Sequence, residues 1–597
     1  MAVWLQPFLT LADQSILWSL TPLGIYLLLS GLDDLFIDVV FLYMWVSATL
    51  FRRPRVVLPT EEQLAAEPEK RFAIFVPLWK EAGVIWRMLA NNAAAIRYRN
   101  YDFFVGAYPN DAATLAAVSE AEKRFANVHL AVCAHPGPTS KADCLNWIFQ
   151  RMLLHEEKHG VRYDVIVTHD AEDLIHPDSL RWMNWFANEY AFVQVPIVSL
   201  PTPWWKLTQG IYCDEFAEFQ ARDLPVRNLL GGFVPSAGVG TAYTREALEA
   251  MAESSCNRIF EPGCLTEDYE NGFRLSLMGF RQIFMPIVRR GTFVATREFF
   301  PEKFRRAIRQ RTRWTTGIAL QGWEHHGWSG GLRQIYWLWR DRKGLIGNPL
   351  SLLTNAFCAY GIAARIWERV RPEQWLWEVL SLTLGFQTIG IIVRMACSGR
   401  LYGWRFAMLV PVRAIMANVI NACATFNALK QYALARIQGK PLVWLKTDHA
   451  YPTREALMVD RRMIGEILVN SQYIEPEDLE WALATKPEGK RIGEHLVAAG
   501  RLSESDLYEA LSLQQQLPLA TLSPHQISRR VAHTLPARLS SKWQVLPFRI
   551  QDGEMHIAAT EAPAAEMEQE LRNHTSLEIR FHLITPTAYR ELERVFK

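Results

Sequence analysis

The chain has 597 residues, half of them apolar, and a formal net charge of +2. This length is enough for several domains with substantial cores, and the balanced charge argues against a nucleic-acid partner. The eight cysteines are scattered without a CxxC pair, which predicts reduced thiols and argues against a disulfide framework or a zinc site.

The first 51 residues form an apolar N-terminal segment that contains no lysine or arginine. Two apolar runs, residues 16–32 and 39–51, are separated by three aspartates, which leaves one long tilted membrane span and two short spans as alternatives. Arginines follow at positions 52, 53 and 55. By the positive-inside bias, they predict that the next domain faces the cytoplasm.

Residues 52–330 are predicted to form a soluble α/β domain. Apolar runs typical of buried strands alternate there with helical stretches. This alternation predicts a doubly wound, mostly parallel sheet of the nucleotide-binding kind. The strand runs are residues 72–77, 101–109, 129–134 and 164–168.

Three carboxylates follow the last of these runs: Asp170, Glu172 and Asp173. Ligands of open α/β sheets bind beyond the carboxyl ends of the strands, where these residues are expected. Carboxylates crowded together repel one another unless a hard divalent cation lies among them. The stretch therefore predicts a Mg²⁺ or Mn²⁺ site, with a solvated acidic turn as the alternative.

Three polar residues near the other strand ends suit a nucleotide-sugar donor. Glu81 closes the first strand region and is suited to hold a nucleoside hydroxyl, while Asp111 is suited to accept a hydrogen bond from a base N–H. Lys141 offers a cation for a diphosphate. The structural alternative is that Asp111 is an ordinary turn residue.

A second set of residues, later in the chain, suits transfer to an acceptor. Glu267 and Asp268 present carboxylates, and Gln310, Arg313 and Trp314 form a polar, cationic and aromatic trio. Sugar transfer needs a carboxylate that takes the acceptor proton, cations that neutralise the departing diphosphate, and an aromatic ring that stacks on the acceptor sugar. The structural alternatives are a helix N-cap for Asp268 and a surface cation–π pair for the Arg-Trp step.

In combination, these motifs resemble an inverting family 2 glycosyltransferase with a GT-A fold, of the membrane-embedded kind that includes cellulose synthases. The resemblance covers residues 70–320. It implies a nucleoside-diphosphate sugar donor, most often UDP-linked, a divalent metal, and Asp268 as general base. The acidic stretch reads Asp-Ala-Glu-Asp and departs from a strict DxD, so either Glu172 or Asp173 is the second metal contact.

Residues 331–445 are predicted to be interfacial and transmembrane. Residues 331–344 mix aromatic and basic side chains, as interfacial helices do. Arg413, Asn418 and Asn421 make the third apolar stretch the costliest to insert. We therefore predict contact with membrane lipid through two spans plus one interfacial or re-entrant segment, which keeps the catalytic and C-terminal domains in the cytoplasm. The apolar stretches are residues 345–366, 375–396 and 406–429.

After a linker at residues 446–460, a C-terminal domain is predicted at residues 461–597. Its first part contains an internal repeat, since Ile464-Gly465-Glu466 recurs as Ile492-Gly493-Glu494. Each copy is predicted to form a small helical hairpin that buries its apolar face against its twin. The remainder alternates short strand and helix signals and predicts a small α+β fold.

The repeat resembles the MshEN domain of type II secretion ATPases, which binds cyclic di-GMP through two tandem motifs. The second copy matches the motif well, whereas the first has Met463, Gln472 and Lys486 in place of Arg, Gly and Gln. The resemblance implies cyclic di-GMP as an allosteric ligand, with a docking or dimerisation module as the alternative. The predicted ligand contacts are Arg491, Ile492, Gly493, Leu496, Gly500 and Gln514.

A transferase domain, a membrane block and this module in one chain resemble the bacteriophage adsorption protein B type of membrane glycosyltransferase. That resemblance implies a bacterial inner-membrane enzyme that extends a surface glycan acceptor and works with an outer-membrane partner. The alternative is a phage-receptor or scaffold protein with an inactive transferase domain. A secretion ATPase is excluded because the chain has no GxxxxGK[ST] phosphate loop.

Overall fold

The computed structural model describes residues 2–50, 56, 58–286, 294–363, 373–440, 442, 463–471, 473–487, 489–551 and 553–596, with side chains from Asp13 onward. The chain divides into two compact units. The first comprises residues 1–86 and 100–451, and the second comprises residues 87–99 and 452–597. Residues 87–99, which fall in the predicted transferase domain, are thus grouped with the C-terminal residues. The predicted five-part division of the chain stays a prediction.

The first unit is built on a mostly parallel sheet. Its strands and those of a small two-stranded sheet are β1 (Phe72–Pro77), β2 (Tyr101–Ala107), β3 (Val128–Val132), β4 (Val165–Thr168), β5 (Phe192–Gln194), β6 (Ile197–Ser199), β7 (Thr241–Thr244), β8 (Gln282–Phe284) and β9 (Thr296–Glu298). The large sheet has the order β3-β2-β1-β4-β7-β5-β8, and β6 pairs with β9. Only β7 runs against its neighbours β4 and β5.

Helices lie between the strands and continue to residue 438. They are α1 (Ala2–Leu50), α2 (Glu61–Ala66), α3 (Ala82–Ala93), α4 (Ala112–Arg124), α5 (Lys141–His159), α6 (Ser179–Phe186), α7 (Leu207–Glu218), α8 (Leu224–Leu229), α9 (Arg245–Ser254), α10 (Glu267–Leu277), α11 (Phe304–Trp314), α12 (Gly322–His326), α13 (Leu332–Arg342), α14 (Gly344–Ala363), α15 (Gln374–Tyr402), α16 (Trp404–Ala407) and α17 (Val410–Gln438). Two π-helical segments, Phe219–Asp223 and Thr315–Gln321, follow α7 and α11.

The position of α5 on the sheet explains where Lys141 lies. The residues of β1, β2 and β4 are almost all buried, as continuous apolar runs predict. A Cβ on Gly106 of β2 would come within 2.6 Å of Cys144 Sγ, so α5 packs directly against that strand. Ser140 caps the helix by accepting a hydrogen bond from the Asp143 backbone N–H at 3.2 Å. Lys141 is therefore fixed in the first turn of α5.

Among the described helices, α15 and α17 are long and apolar enough to cross a membrane, each with 29 residues. The N-terminal residues, for which one span or two remained open, form the single helix α1. The third apolar stretch, predicted to be the costliest to insert, belongs to α17. Its Arg413 is 1% exposed and donates to both carboxylate oxygens of Asp214, at 2.5 and 2.9 Å. This pairing compensates the buried charge.

The second unit contains helices and a three-stranded sheet, which confirms the predicted α+β character of its C-terminal part. The strand order is β10-β11-β12, antiparallel in the first pair and parallel in the second. The elements are α18 (Ile464–Asn470), α19 (Pro476–Thr485), α20 (Ile492–Ala498), α21 (Glu504–Gln515), α22 (Arg529–Ala532), α23 (Ala537–Trp543), β10 (Val545–Gln551), β11 (Glu554–Ala559), α24 (Ala565–Arg572), β12 (Glu578–Leu583) and α25 (Pro586–Phe596), with a 3₁₀ turn at Pro524–Gln526.

The repeat forms two helical hairpins, α18–α19 and α20–α21, that share one apolar core. A Cβ on Gly465 would lie 2.7 Å from Leu479 Cδ1, and one on Gly493 would lie 2.4 Å from Leu507 Cδ1. The two copies therefore use the same glycine–leucine contact, which confirms the predicted pair of hairpins. Ala94 joins the same core, and its carbonyl accepts a hydrogen bond from the Asn470 side chain at 3.4 Å.

Candidate active site

The acidic turn after β4 contains one partly exposed carboxylate, Asp170, and two buried carboxylates, Glu172 and Asp173. Asp173 is buried, and its Oδ2 accepts a hydrogen bond from the Asp170 backbone N–H at 3.0 Å. Burial lowers the pKa of the His169 imidazole to about 3 and raises that of Asp173, and His169 Nδ1 shares a hydrogen bond with Asp173 Oδ2 at 2.7 Å. The Asp170 side chain is 27% exposed. Asp173 thus holds the turn, and Asp170 presents its carboxylate beyond the strand end.

Lys141 lies among carboxylates from separate parts of the chain. Its Nζ is 2.6 Å from Asp170 Oδ1 and 3.4 Å from the Gly238 carbonyl oxygen, to which it donates. Burial opposes its charge, but the nearby carboxylates of Asp170, Glu267 and Asp268 outweigh burial and raise its pKa. Lys141 is therefore a permanent cation that holds these acidic groups together.

The two predicted carboxylates of the acceptor side lie at the start of α10. Thr266 occupies the N-cap position, while Asp268 Oδ1 accepts a hydrogen bond from the Tyr269 backbone N–H at 2.7 Å. Burial raises the pKa of Asp268, although Lys141 lowers it. Burial, followed by the charge of Asp268, raises the pKa of Glu267 to about 7. Asp268 is therefore a stronger base than an exposed aspartate and is not the N-cap of the helix.

The loop at residues 233–243 passes directly beside this pair. Gly238 has a φ of +77°, and a Cβ there would lie 2.3 Å from Asp268 Oδ2 and 3.2 Å from Lys141 Nζ. Only a glycine fits this position without strain. Gly238 is a site residue that the sequence analysis missed, and its one signal was the glycine-rich run of that loop.

The polar residues of α11 face the same region. The positive charge of Arg313 acts on both Glu267 and Asp268 and lowers their pKa values, against the larger opposing effect of burial. Arg313 Nε and Gln310 Oε1 are buried, and neither makes a hydrogen bond within the part of the chain that the structure describes. These two side chains have polar atoms suited to a ligand.

The packing of α11 against α10 fixes this arrangement. A Cβ on Gly317, in the π-helical segment after α11, would lie 2.3 Å from Thr266 Oγ1. The Trp314 ring stands at 80° to the Tyr212 ring, with centroids 6.2 Å apart. The contact between Gly317 and Thr266 holds the start of α10 close to the end of α11. The carboxylates of α10 and the polar residues of α11 are therefore fixed relative to each other.

The two residues predicted for the nucleoside are joined to each other at the ends of β1 and β2. Asp111 caps α4, since its Oδ1 accepts from the Thr114 backbone N–H at 3.4 Å. Its Oδ2 accepts from the Lys80 backbone N–H at 2.6 Å, and Lys80 has a φ of +56°. The Glu81 backbone N–H donates to Thr114 Oγ1 at 3.1 Å. Asp111 therefore has the structural role foreseen as its alternative, and nucleoside binding stays a prediction.

In the second unit, the predicted cyclic di-GMP contacts divide into buried and exposed residues. Gly493 and Leu496 are buried in the repeat, and Gly500 has a φ of +70°. Arg491 Nη1 lies 3.1 Å from Glu561 Oε1, with side chains 72% and 67% exposed respectively. Ile492 begins α20 and Gln514 lies near the end of α21. Ligand binding by these residues stays a prediction.

Comparison with known families agrees with this geometry. A model of "Glycosyltransferase like family 2" matches residues 68–317, and a model of the MshEN domain matches residues 515–593. The second match begins after Gln514, so the predicted cyclic di-GMP contacts precede it. The fold and site thus define a family 2 type glycosyltransferase with a GT-A-like, mostly parallel sheet and a C-terminal MshEN domain.

The chain belongs to the bacteriophage adsorption protein B family. It is 35% identical over 571 residues to "Bacteriophage adsorption protein B" of Escherichia coli (strain K12), an alignment that covers 90% of this chain and 76% of that protein. The same identity and coverage hold for "Bacteriophage N4 adsorption protein B" of Escherichia coli O157:H7. The predicted family and the fold class are confirmed.

Solved structures give only weak similarities. "Mannosyltransferase PcManGT from Pyrobaculum calidifontis in complex with GDP-Man and Mn2+" is 16% identical, with a TM-score of 0.41 and coverage of 69% of this chain and 99% of that one. "Structure of MshE with cdg" is 24% identical, with a TM-score of 0.21 and coverage of 23% of this chain and 100% of that one. TM-scores this low carry no conclusion about ligands.

Proposed function

We propose that the chain is an enzyme of the bacterial inner membrane that transfers a sugar from a UDP-linked donor to a growing surface glycan. The observation that carries this proposal is the cluster of three carboxylates, Asp170, Glu267 and Asp268, around the cation of Lys141. Buried acidic groups with shifted pKa values, gathered at a sheet edge, are typical of a catalytic centre. The family 2 match over residues 68–317 supports the reaction class.

Asp268 is the general base in this proposal. Its carboxylate takes the proton of an acceptor hydroxyl while that oxygen bonds to the anomeric carbon of the donor sugar. The bond from that carbon to the diphosphate breaks, and the diphosphate leaves with the electron pair. One displacement by the acceptor oxygen inverts the anomeric centre. The pKa of Asp268, raised by burial, supports this role because it strengthens the base.

The departing diphosphate is neutralised by cations of this chain. Lys141 and Arg313 act on the same two carboxylates, so they lie within electrostatic reach of the reacting atoms. The carboxylate oxygens of Asp170 and Glu172 fit a hard cation such as Mg²⁺ or Mn²⁺, while Asp173 is engaged with His169. When bound, the metal supplies further neutralisation of the diphosphate.

The remaining site residues bind the two substrates. Glu81 and Asp111 hold the nucleoside of the donor. Trp314 stacks on the acceptor sugar, and the buried amide oxygen of Gln310 accepts a hydrogen bond from one of its hydroxyls.

Membrane location and regulation complete the proposal. The two apolar helices α15 and α17 support contact with membrane lipid, and the family relationship supports a partner in the outer membrane. In this arrangement the catalytic and C-terminal domains face the cytoplasm, where cyclic di-GMP binds the repeat through Arg491. The MshEN match at residues 515–593, which directly follows the repeat, supports a regulatory role for the C-terminal domain as a whole.

The test is transfer by the purified full chain in detergent, measured against a panel of nucleotide sugars. We expect one UDP-sugar to be consumed with formation of UDP. Asp268→Asn should reduce transfer by about 10²–10⁴-fold while calorimetry finds donor binding nearly intact. Glu253→Gln, at an exposed position on α9, is the matched control and should behave as the wild type. Failure of the wild type to bind or transfer any sugar of the panel would favour a receptor or scaffold protein with an inactive domain.

A further inference from the structure

Three metal-ligating side chains meet outside the catalytic cluster. They are Cys264, Glu270 and His325, and one ligand atom of each lies within 4.8 Å of the others. Cys264 precedes α10, Glu270 lies on α10, and His325 lies on α12. Among the described residues, these three form the one group of this kind.

The contacts within this group converge on a single carboxylate. His325 Nδ1 lies 3.2 Å from each oxygen of Glu270, and His326 Nε2 lies 3.0 Å from Glu270 Oε1. Cys264 and Glu270 are buried. His326 Nε2 is also buried, and its 3.0 Å contact with Glu270 lacks hydrogen-bond geometry. Glu270 is therefore the common neighbour of the cysteine and both histidines.

The geometry points to a Zn²⁺ site formed by Cys264, Glu270 and His325. We propose that these side chains bind one zinc ion, with His326 Nε2 as the neighbouring donor for the fourth position. Zinc takes thiolate, imidazole and carboxylate ligands at about 2.0–2.3 Å, which places ligand atoms roughly 3.2–3.7 Å apart. The thiolate and the carboxylate together neutralise the dication, so burial of the site is compensated.

The spacing of the cysteines argued against a zinc site because that signal detects only paired cysteines. Here a single cysteine combines with a glutamate one helical turn or two further on and with a histidine that lies far away along the chain. The proposed ion does not depend on the transferase reaction, and its ligands differ in kind from the all-oxygen set of Asp170 and Glu172.

The surroundings of the group suit a structural metal. Gln321 fixes the loop that carries Cys264, since its Oε1 accepts from the Leu265 backbone N–H at 2.9 Å. Its Nε2 donates to the Gly263 carbonyl at 3.0 Å. A cavity of about 200 Å³, lined in part by Glu261, Gln321 and His325, borders the histidine side of the group. A zinc ion here ties α10, which begins with the carboxylates of the active site, to α12.

The test is the metal content of the full chain, purified in detergent from zinc-supplemented cells and passed through metal-free buffer. We expect about one zinc per chain in the wild type, and less than a fifth of that in Cys264→Ser and in His325→Gln. Cys256→Ser, which changes an exposed cysteine outside the group, is the matched control and should keep the metal. Equal zinc in all four proteins would overturn the proposal.

A second measurement does not depend on how the variants fold. Zinc is replaced by Co²⁺ in the wild type, and the near-ultraviolet band of a thiolate bound to cobalt is recorded. We expect this band in the wild type and in Cys256→Ser and its loss in Cys264→Ser. A wild type that holds no zinc and gives no thiolate band would overturn the site even if Cys264→Ser does not fold.

Discussion

The cluster of Lys141 with Asp170, Glu267 and Asp268 differs from the C-terminal repeat in how its charged residues are exposed and paired. Around Lys141 the charges are buried or partly buried, and the cation compensates the carboxylates. In the repeat, the buried positions are glycines and apolar side chains, whereas Arg491 is exposed and paired with Glu561. Substitutions in the cluster should therefore disturb several groups at once, and substitutions of exposed charges in the repeat should change only ligand binding.

The largest effect is expected from Lys141→Met. Removal of the cation leaves Asp170, Glu267 and Asp268 close together without compensation. Loss of one partner costs about 3–5 kcal/mol in a fully buried charged group, and less is expected here because Lys141 and Asp170 are 17% and 27% exposed. Transfer should fall by about 10³-fold because a diphosphate-neutralising charge is lost as well. Thermal unfolding and transfer are measured together. Lys303→Met, at an exposed position, is the control; an unchanged unfolding temperature in Lys141→Met would contradict the compensation argument.

The next effect is the pH dependence of the stability that Glu267 contributes. Its folded-state pKa of about 7 lies above the ordinary value of 4.5. The stabilisation from this group is therefore complete below pH 4.5 and is lost as the pH rises through 7, since the folded state then binds more protons than the unfolded state. At about 1.36 kcal/mol per pKa unit, the loss approaches about 3 kcal/mol.

Glu267→Gln should remove this loss because glutamine stays neutral. Between pH 5 and 8 the unfolding temperature of the variant should decline less than that of the wild type. Glu253→Gln, which changes an exposed glutamate, should follow the wild-type curve. Parallel curves for the wild type and Glu267→Gln would show that Glu267 is ionised throughout this range.

A smaller effect is expected from Gly238→Ala. The added Cβ would meet Asp268 Oδ2 at 2.3 Å in a left-handed backbone conformation, so the carboxylate must move. A misplacement of a catalytic group by about 1 Å can cost about 10²-fold in rate. We therefore expect kcat to fall more than donor affinity. Gly83→Ala on α3, where a Cβ meets nothing within 4 Å, is the control. Equal kcat in the two variants would mean that the approach of Gly238 does not position Asp268.

The parts of the fold that the sequence predicted are those with a continuous local pattern. β1, β2 and β4 are largely apolar runs of four to seven residues, and their predicted ends lie within two residues of the observed ones. β5 and β8 have three residues each, too few for any periodicity. The antiparallel insertion of β7 depends on pairing with distant strands, which no local pattern encodes.

The same distinction separates the predicted site residues from those that were missed. Asp170, Glu267 and Asp268, which the structure brings around Lys141, lie in compact motifs that can be recognised in the sequence. Gly238, by contrast, acquires its role only when its loop meets Asp268. Likewise, the cost of burying Arg413 was predicted, but Asp214, which compensates it, lies far away along the chain.

The smallest effect is expected in the repeat, from Arg491→Ala. The first copy of the motif lacks counterparts of Arg491 and Gln514, since Met463 and Lys486 stand in their places. Contacts to half of a two-fold ligand should therefore be weaker than in an intact tandem motif. If Arg491 donates one charge-assisted hydrogen bond worth about 1.5–3 kcal/mol, its loss lowers affinity at least about tenfold. The exposed pair with Glu561 is a weak competitor, because such pairs contribute about 0.2–1 kcal/mol.

Calorimetry with cyclic di-GMP should use the full chain, because residues 87–99 belong to the same compact unit as the repeat. Arg580→Ala is the matched control, since Arg580 is also about half exposed and pairs with a glutamate, Glu554, in that unit. We expect the wild type to bind cyclic di-GMP weakly. Arg491→Ala should lower the affinity, and Arg580→Ala should leave it unchanged. Absence of heat at submillimolar ligand, or equal affinity in the two variants, would show that Arg491 does not bind the nucleotide. The repeat would then be a docking module.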